Sequence, residues 1–170
     1  KGCSDGFRPK RSATGALETI RLKGGCGQRY VVDGDIKSYF DSIDHEKLLG
    51  RVQRRISDRR VLKLLRQWLK AGVMVEGLAV RTDRGSPQGG VSSRLRSNIY
   101  LEALDGIWER QCQHLGTLVR YCDDFVVLCR TRGDAEESLR RLGIIMERLS
   151  LTLHPEKTRI VDLGLGKRGF

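Results

Sequence analysis

The sequence predicts an α+β fold in which an antiparallel sheet packs on helices. Three observations predict it. Short β-rich apolar runs occur at Tyr30 to Val32, Thr117 to Tyr121, Phe125 to Cys129 and Arg159 to Val161. Segments with helical spacing lie between them in blocks and do not alternate strand by strand, as a parallel sheet would require. Two of the runs flank a short polar turn, Cys122-Asp123-Asp124, which favours antiparallel pairing.

Each element has its own signal. Ser12 to Lys23 has helical spacing at Ala16, Leu17 and Ile20, with Ser12 placed to cap the N-terminus. Lys23 to Gln28 is Gly-rich and reads as a loop. Arg29 to Ile36 is β-rich and leads into acidic residues. Asp44 can cap a helix over His45 to Val52. A second helix is expected over Asp58 to Ala71, with Val61, Leu64, Leu65 and Trp68 on one face and Gly72 ending it. Val73 to Arg81 reads as a hairpin turning at Glu76-Gly77. Asp83 to Gly90 is a Gly/Pro loop. A long helix is expected over Val91 to Gln113, from Leu95, Ile99, Leu101, Leu104, Ile107 and Trp108. Asp134 to Leu149 is amphipathic, with Leu139, Leu142, Ile145 and Leu149 inward. A strand at Arg159 to Val161 closes the order.

Composition narrows the function. The 170 residues bound the chain at one domain or two small lobes. At 39% hydrophobic it can bury a core and is too apolar for wholesale disorder. Its 32 Lys+Arg, 23 of them Arg, against 21 Asp+Glu leave a net charge of +11. That is the electrostatic footprint of a nucleic-acid binder, and Arg is the residue of bidentate phosphate contacts. The alternative is a basic but inert surface. A membrane-surface role fits less well, because the basic residues are dispersed. No apolar run is long enough to span a bilayer. The start, Lys1-Gly2-Cys3-Ser4-Asp5, has no signal-peptide character and no Met, so the chain reads as a fragment or a processed piece. The five cysteines are odd in number and form no CxxC pair, so reduced cytosolic thiols are expected.

The strongest chemical signal is three carboxylates at strand ends. Asp35 follows the first strand, and Asp123 and Asp124 sit at the hairpin tip. Adjacent acids on buried strands are costly unless their charge is neutralised. Arg120 is the one basic residue beside them in sequence, and strand alternation points it away from Asp123. Divalent cations would remove the cost. All-oxygen donors suit Mg2+, which takes one or two carboxylates plus substrate phosphates. Two ions about 4 Å apart would serve both oxygens of a phosphoryl transfer. A single Asp-Asp pair by itself reads first as a solvated turn; the combination with Asp35 and the Pro87-Gln88-Gly89-Gly90 loop carries the argument.

These blocks resemble a known family. YVVDGDIKSYFDSIDH (30–45), GSPQGGVSSRLRSNIYL (85–101) and VRYCDDFVVL (119–128) are similar to motifs A, B and C of reverse transcriptases, above all those encoded by bacterial group II introns. GFRPKRSA (6–13) resembles the block before motif A, and LTLHPEKT (151–158) resembles motif D. The resemblance covers essentially the whole chain. It implies a right-hand polymerase palm with partial fingers: fingers at 1–28 and 44–84, palm at 29–43 and 85–170, with no thumb or maturase segment. It implies an RNA-directed DNA polymerase that joins a dNTP to a primer 3′-hydroxyl on an RNA template. Two Mg2+ would assist, with Mn2+ able to substitute. Intron RNA is a further implied partner, and no membrane is.

The resemblance also assigns roles. Asp35 and Asp123 would bridge the metals, and Asp124 would be the third acid. Ile36 would offer only its backbone carbonyl. Phe40 would lie under the incoming sugar and exclude a 2′-hydroxyl, unless it is simply a core aromatic. Gln88 and Gly89 would contact the nucleotide. Lys157 would protonate departing pyrophosphate, unless it is a solvated loop residue. Arg8, Lys10 and Arg11 would hold template phosphates, or form a solvated cluster. Cys122 stands where the group carries Ala and is expected to pack. Ser93-Arg94-Leu95-Arg96 departs from the usual Ser-Pro-Leu-Leu; the two arginines face solvent, contact nucleic acid or were introduced for solubility, and engineering or natural adaptation to an exposed surface is the favoured reading.

Two other classes compete. One is an RNA-binding maturase-type module in which catalysis is secondary. The other is a reverse transcriptase serving a CRISPR integrase or phage defence. A fragment without the preceding fingers block and the thumb is expected to bind nucleic acid weakly and polymerise poorly.

Overall fold

The computed structural model describes residues 6, 12–70, 73–75, 78–80 and 93–164, with no side chains described at 73–75, 78–80 and 93–94. The element order is α1 (Ala13–Gly25), β1 (Tyr30–Gly34), α2 (Tyr39–Ser42), α3 (His45–Gln53), α4 (Arg59–Lys70), β2 (Val73–Val75), β3 (Leu78–Val80), α5 (Ser93–Ile107), a π-helical turn (Trp108–Cys112), β4 (Thr117–Tyr121), β5 (Asp124–Cys129), α6 (Arg132–Arg148) and β6 (Arg159–Asp162). Four strands form one sheet in the order β4-β5-β1-β6, every described pair antiparallel. β2 and β3 pair as a separate hairpin. The α+β class with an antiparallel sheet packed on helices is therefore the fold.

Alternation along the strands decides what lies on each side of the sheet. Val32, Leu118 and Val127 face a large core with Leu101, Leu104 and Trp108 of the α5 region and Leu142, Ile145 and Met146 of α6. Val31, Val119 and Leu128 face the other way and pack under Ala16 of α1. Helices thus cover both faces, which is why the central strands are apolar throughout.

The helix starts follow local chemistry. Ser12 Oγ accepts from the Gly15 N–H at 3.2 Å, and the Asp44 carboxylate accepts from the Lys47 N–H at 2.9 Å. Thr131 caps α6 through the Asp134 N–H at 3.1 Å, so this helix begins at Arg132, ahead of the expected Asp134.

Several expectations need correction. The expected apolar face of α4 is covered only in part: Leu65 packs against the main core, whereas Val61, Leu64 and Trp68 are exposed, Trp68 by 58%, and Leu69 is buried beside that face. α4 packs chiefly on α3, so only a narrow stripe of it, at Leu65 and Leu69, is covered. Leu17 is likewise exposed, because α1 lies on the sheet through the small Ala16. The long helix does not run regularly to Gln113. It widens into the π-helical turn, where buried Trp108 donates from Nε1 to the Gly116 carbonyl at 3.0 Å. α2 is a single turn whose Tyr39 is buried and donates to the Ser97 carbonyl at 3.2 Å. Arg96 is half-buried, and burial pulls its pKa down, so solvent exposure does not describe it. The side chain of Arg94 and the expected Glu76-Gly77 turn lie outside what is described.

Candidate active site

The β1–β5 ladder carries the acids. Its register sets Val32 opposite Val127, Asp33 opposite Val126 and Gly34 opposite Phe125. Continuing that register places Asp35 level with Asp124, with Asp123 one residue further into the turn. Gly34 is required at the end of this ladder: a Cβ there would lie 2.3 Å from the Phe125 ring. Beyond it, Ile36 forms an antiparallel bridge with Leu153. The His154 N–H donates to the Asp35 carbonyl at 2.8 Å, and the Lys37 N–H to the Thr152 carbonyl at 2.9 Å. The motif D segment is thereby stitched to the acid-bearing strand.

The hairpin tip is held from behind. Cys122 takes φ 60°, a left-handed conformation that side chains seldom adopt. Arg120 braces it, with both Arg120 and Asp105 fully buried. The guanidinium donates to the Asp105 carboxylate through Nε at 2.8 Å and Nη2 at 2.6 Å. Its Nη1 donates to the Cys122 carbonyl at 2.6 Å and to Asn98 Oδ1 at 3.2 Å. Asn98 Nδ2 in turn donates to the Gly6 carbonyl at 2.8 Å. Gly6 approaches the turn so closely that a Cβ would meet the Cys122 nitrogen at 2.3 Å.

An open pocket of about 370 Å³ is lined by Asp33, Gly34, Asp35, Asp124, Glu156, Lys157 and Arg159. Burial raises the Asp124 pKa above the usual carboxylate range, as do the charges of Asp123, Asp35 and Asp33, while Lys157 opposes the rise. Lys157 Nζ stands 3.6 Å from Asp35 Oδ2, and Arg159 Nε 3.6 Å from Asp33 Oδ2. The acids are thus less bare than their sequence neighbours imply, because two cations arrive from a distant segment of the chain.

Asp35, Asp124 and Lys157 line one pocket, and Asp123 acts electrostatically on Asp124 from the adjoining turn. Ile36 is buried. Phe40 is half-buried against the main core, its ring edge-on to Tyr39 at 5.2 Å between centroids. Gln88, Gly89, Arg8, Lys10 and Arg11 lie outside the described residues. Sequence reasoning missed Asp105, although it falls on the buried stripe of Leu101, Leu104 and Trp108, where a lone acid signals a buried partner. It also missed Asp33, Asn98 and Arg159, whose positions depend on pairings distant in sequence.

Among the described residues no three His, Cys, Asp or Glu side chains converge as a metal-ligand set. The donors are nevertheless hard carboxylate oxygens whose mutual repulsion a cation would relieve. They fit a divalent ion whose shell is completed by substrate phosphates, and not a preformed three-acid cage.

The same fold occurs in solved structures of telomerase from Candida tropicalis. The complex with a TWJ fragment of telomeric RNA matches with a TM-score of 0.70 over 96% of this chain and 31% of that one, at 13% identity. The apo form matches with a TM-score of 0.68 over 92% and 33%, at 14% identity. The fold is thus the right-hand polymerase palm with part of the fingers. Residues 3–165 match the model of the family described as reverse transcriptase (RNA-dependent DNA polymerase), and the chain belongs to that family. Protein YkfC of Escherichia coli (strain K12) is 35% identical over 96% of this chain and 52% of its own length. Group II intron-encoded protein LtrA of Lactococcus lactis subsp. cremoris is 46% identical over 60% of this chain and 17% of its own. The chain spans about half the length of the first relative and a smaller share of the second. Reverse transcriptases use divalent metal ions and bind RNA templates. No described helix is long and apolar enough to cross a membrane.

Proposed function

We propose that the chain carries the catalytic palm of an RNA-directed DNA polymerase, adding dNMP to a primer 3′-hydroxyl on an RNA template with release of pyrophosphate. The observation that supports it most is the β1–β5 register, which brings Asp35 level with Asp124 at the edge of an open acidic pocket. Asp35 and Asp123 would hold two Mg2+, with Asp124 as the third acid and Mn2+ as a substitute. When bound, the ions lower the pKa of the attacking hydroxyl and neutralise the triphosphate.

The chain's own residues orient and screen. Lys157 Nζ stands 3.6 Å from Asp35 Oδ2, and Lys157 would protonate departing pyrophosphate. Ile36 would present its backbone carbonyl. Phe40 would support the sugar ring from its half-buried position. Gln88 and Gly89 would contact the nucleotide, while Arg8, Lys10 and Arg11 position template phosphates. The division into fingers at 1–28 and 44–84 and palm at 29–43 and 85–170 belongs to the same reading. Intron RNA is the further partner proposed, from the similarity to LtrA. The four described cysteines are free thiols, which accords with a bacterial cytoplasmic location.

Asp35→Asn and Asp123→Asn test the reading in the whole protein. Each is expected to lower primer extension by at least about 100-fold, the scale of losing one electrostatic catalytic group, with circular dichroism unchanged. Undiminished extension overturns it. Intron splicing retained by Asp123→Asn while extension is lost would show a maturase role beside the polymerase.

A further inference from the structure

A second cleft lies away from the acids, between the end of α3 and the distal half of α5. It holds about 420 Å³, a size in the range of ligand pockets, and is lined by Arg51, Arg54, Arg55, Arg110, Glu102, Ala103, Gly106 and Ile107. Four guanidiniums thus meet one carboxylate, and Glu102 is engaged by Arg55 in an ion pair. Arg54 and Arg110 are exposed and form no ion pair among the described residues. Arg51 is half-buried, its guanidinium 6.0 Å from the Tyr100 ring centroid, and its Nε is buried without a hydrogen-bond partner. Burial and the charge of Arg54 both lower the Arg51 pKa. Leaving a buried donor unmet and gathering like charges are both costly, and one anion would relieve both.

We propose that this arginine cleft binds the phosphodiester backbone of a single nucleic-acid strand at a site separate from the catalytic acids. The floor of Ala103, Gly106 and Ile107 offers no exposed ring for stacking and no free amide for reading a base edge. Recognition there is of phosphate, which positions a strand without reading its sequence. Arg54 and Arg110 stand on different elements, so they can take successive phosphates of one strand. From Asn98, beside the Cys122 turn, the helical path to Arg110 is roughly 18 Å. The cleft shares no lining residue with the acidic pocket, and the site extends the contact surface beyond the one proposed for catalysis.

The test measures binding of short labelled single-stranded RNA and of the matching DNA to the whole protein without divalent metal or dNTP. For R54Q/R110Q the expected result is about a tenfold loss of affinity, with the slope of log K against log salt shallower by about 1.4, or 0.7 per lost phosphate contact. Whichever strand shows this change is the ligand. The charge-matched R59Q/R60Q, at the exposed start of α4, is expected to change the slope little. An unchanged slope in R54Q/R110Q overturns the proposal, and so does an equal loss in R59Q/R60Q, which would mean diffuse attraction only. Binding of neither strand to the unaltered protein also overturns it. Asp35→Asn, read by primer extension alone, tests the polymerase reading separately. Failure of the polymerase reading would therefore leave this result intact, and the reverse holds too.

Discussion

Arg120 shows what one residue can decide. It is fully buried on β4, and its guanidinium joins Asp105 to the carbonyl of Cys122. Replacing Arg120 with Ala would strand a carboxylate in the core. The expected cost is about 3–5 kcal/mol in urea unfolding, the range for breaking a buried pair from one side. The double variant R120M/D105L is expected to recover much of that stability while primer extension stays low, because the Cys122 turn loses its brace. Recovery of extension along with stability would show that the brace is dispensable. Glu137 on α6 gives a surface contrast. Hydrogen bonds from Arg140 and Arg141 hold its carboxyl at about 2. Its pairs therefore contribute above the ordinary value of 4.5 and are lost as pH falls through about 2. Carboxyl NMR is expected to place the Glu137 midpoint near that value, and R140Q/R141Q to move it up toward 4.5.

At the scale of elements, the central ladder is the part that tolerates least change. Gly34 faces the Phe125 ring with no room for a methyl group. Gly34→Ala is expected to cost about 1–3 kcal/mol, as overpacking does, and to reduce extension by shifting Asp35 and Asp124 apart. G34A/F125L should regain stability in thermal unfolding, since the shorter side chain frees the space. If Gly34→Ala unfolds at the unaltered temperature, the ladder is more yielding than its geometry shows. This glycine was legible only as part of a β-rich run ending in acids. Its steric role needed the partner strand, which lies some ninety residues further along the chain. The caps were legible in full at Ser12 and Asp44, because a cap is made within three residues of itself. The π-helical turn after α5 was not, since the apolar spacing through Trp108 reads as a regular helix.

Across the whole molecule, the helices cover the sheet on both faces yet leave an apolar stripe of Val61, Leu64 and Trp68 on α4 facing out. The two tryptophans therefore report different environments, Trp68 at 58% exposure and Trp108 at 2%. Iodide is expected to quench the emission of Trp68 and leave that of Trp108, so W68F should abolish most of the quenching. Equal quenching of both would place Trp108 outside the core. Periodicity identified α4 as a helix and its apolar face, of which only Leu65 meets the core. The repeat of apolar residues gives a stripe, and only the position of α3 shows which side of it is covered.

What the sequence by itself determined is local and chemical. Strand and helix types follow from apolar spacing, helix starts from capping residues, and the polymerase family from motif order. The α+β class follows from the segregation of strands and helices. Asp35, Asp123 and Asp124 were identifiable because unpaired acids at the ends of buried strands are costly wherever they occur. What the tertiary structure decided is which groups meet. The antiparallel register, ending at Gly34 opposite Phe125, brought Asp35 and Asp124 to one pocket. Chain return through β6 delivered Lys157 and Arg159 to acids more than a hundred residues earlier. Helix packing buried Arg120 against Asp105 and gathered four arginines around the second cleft. Such pairings act through space over a few ångströms, and sequence separation carries no information about distances of that size until the chain has folded.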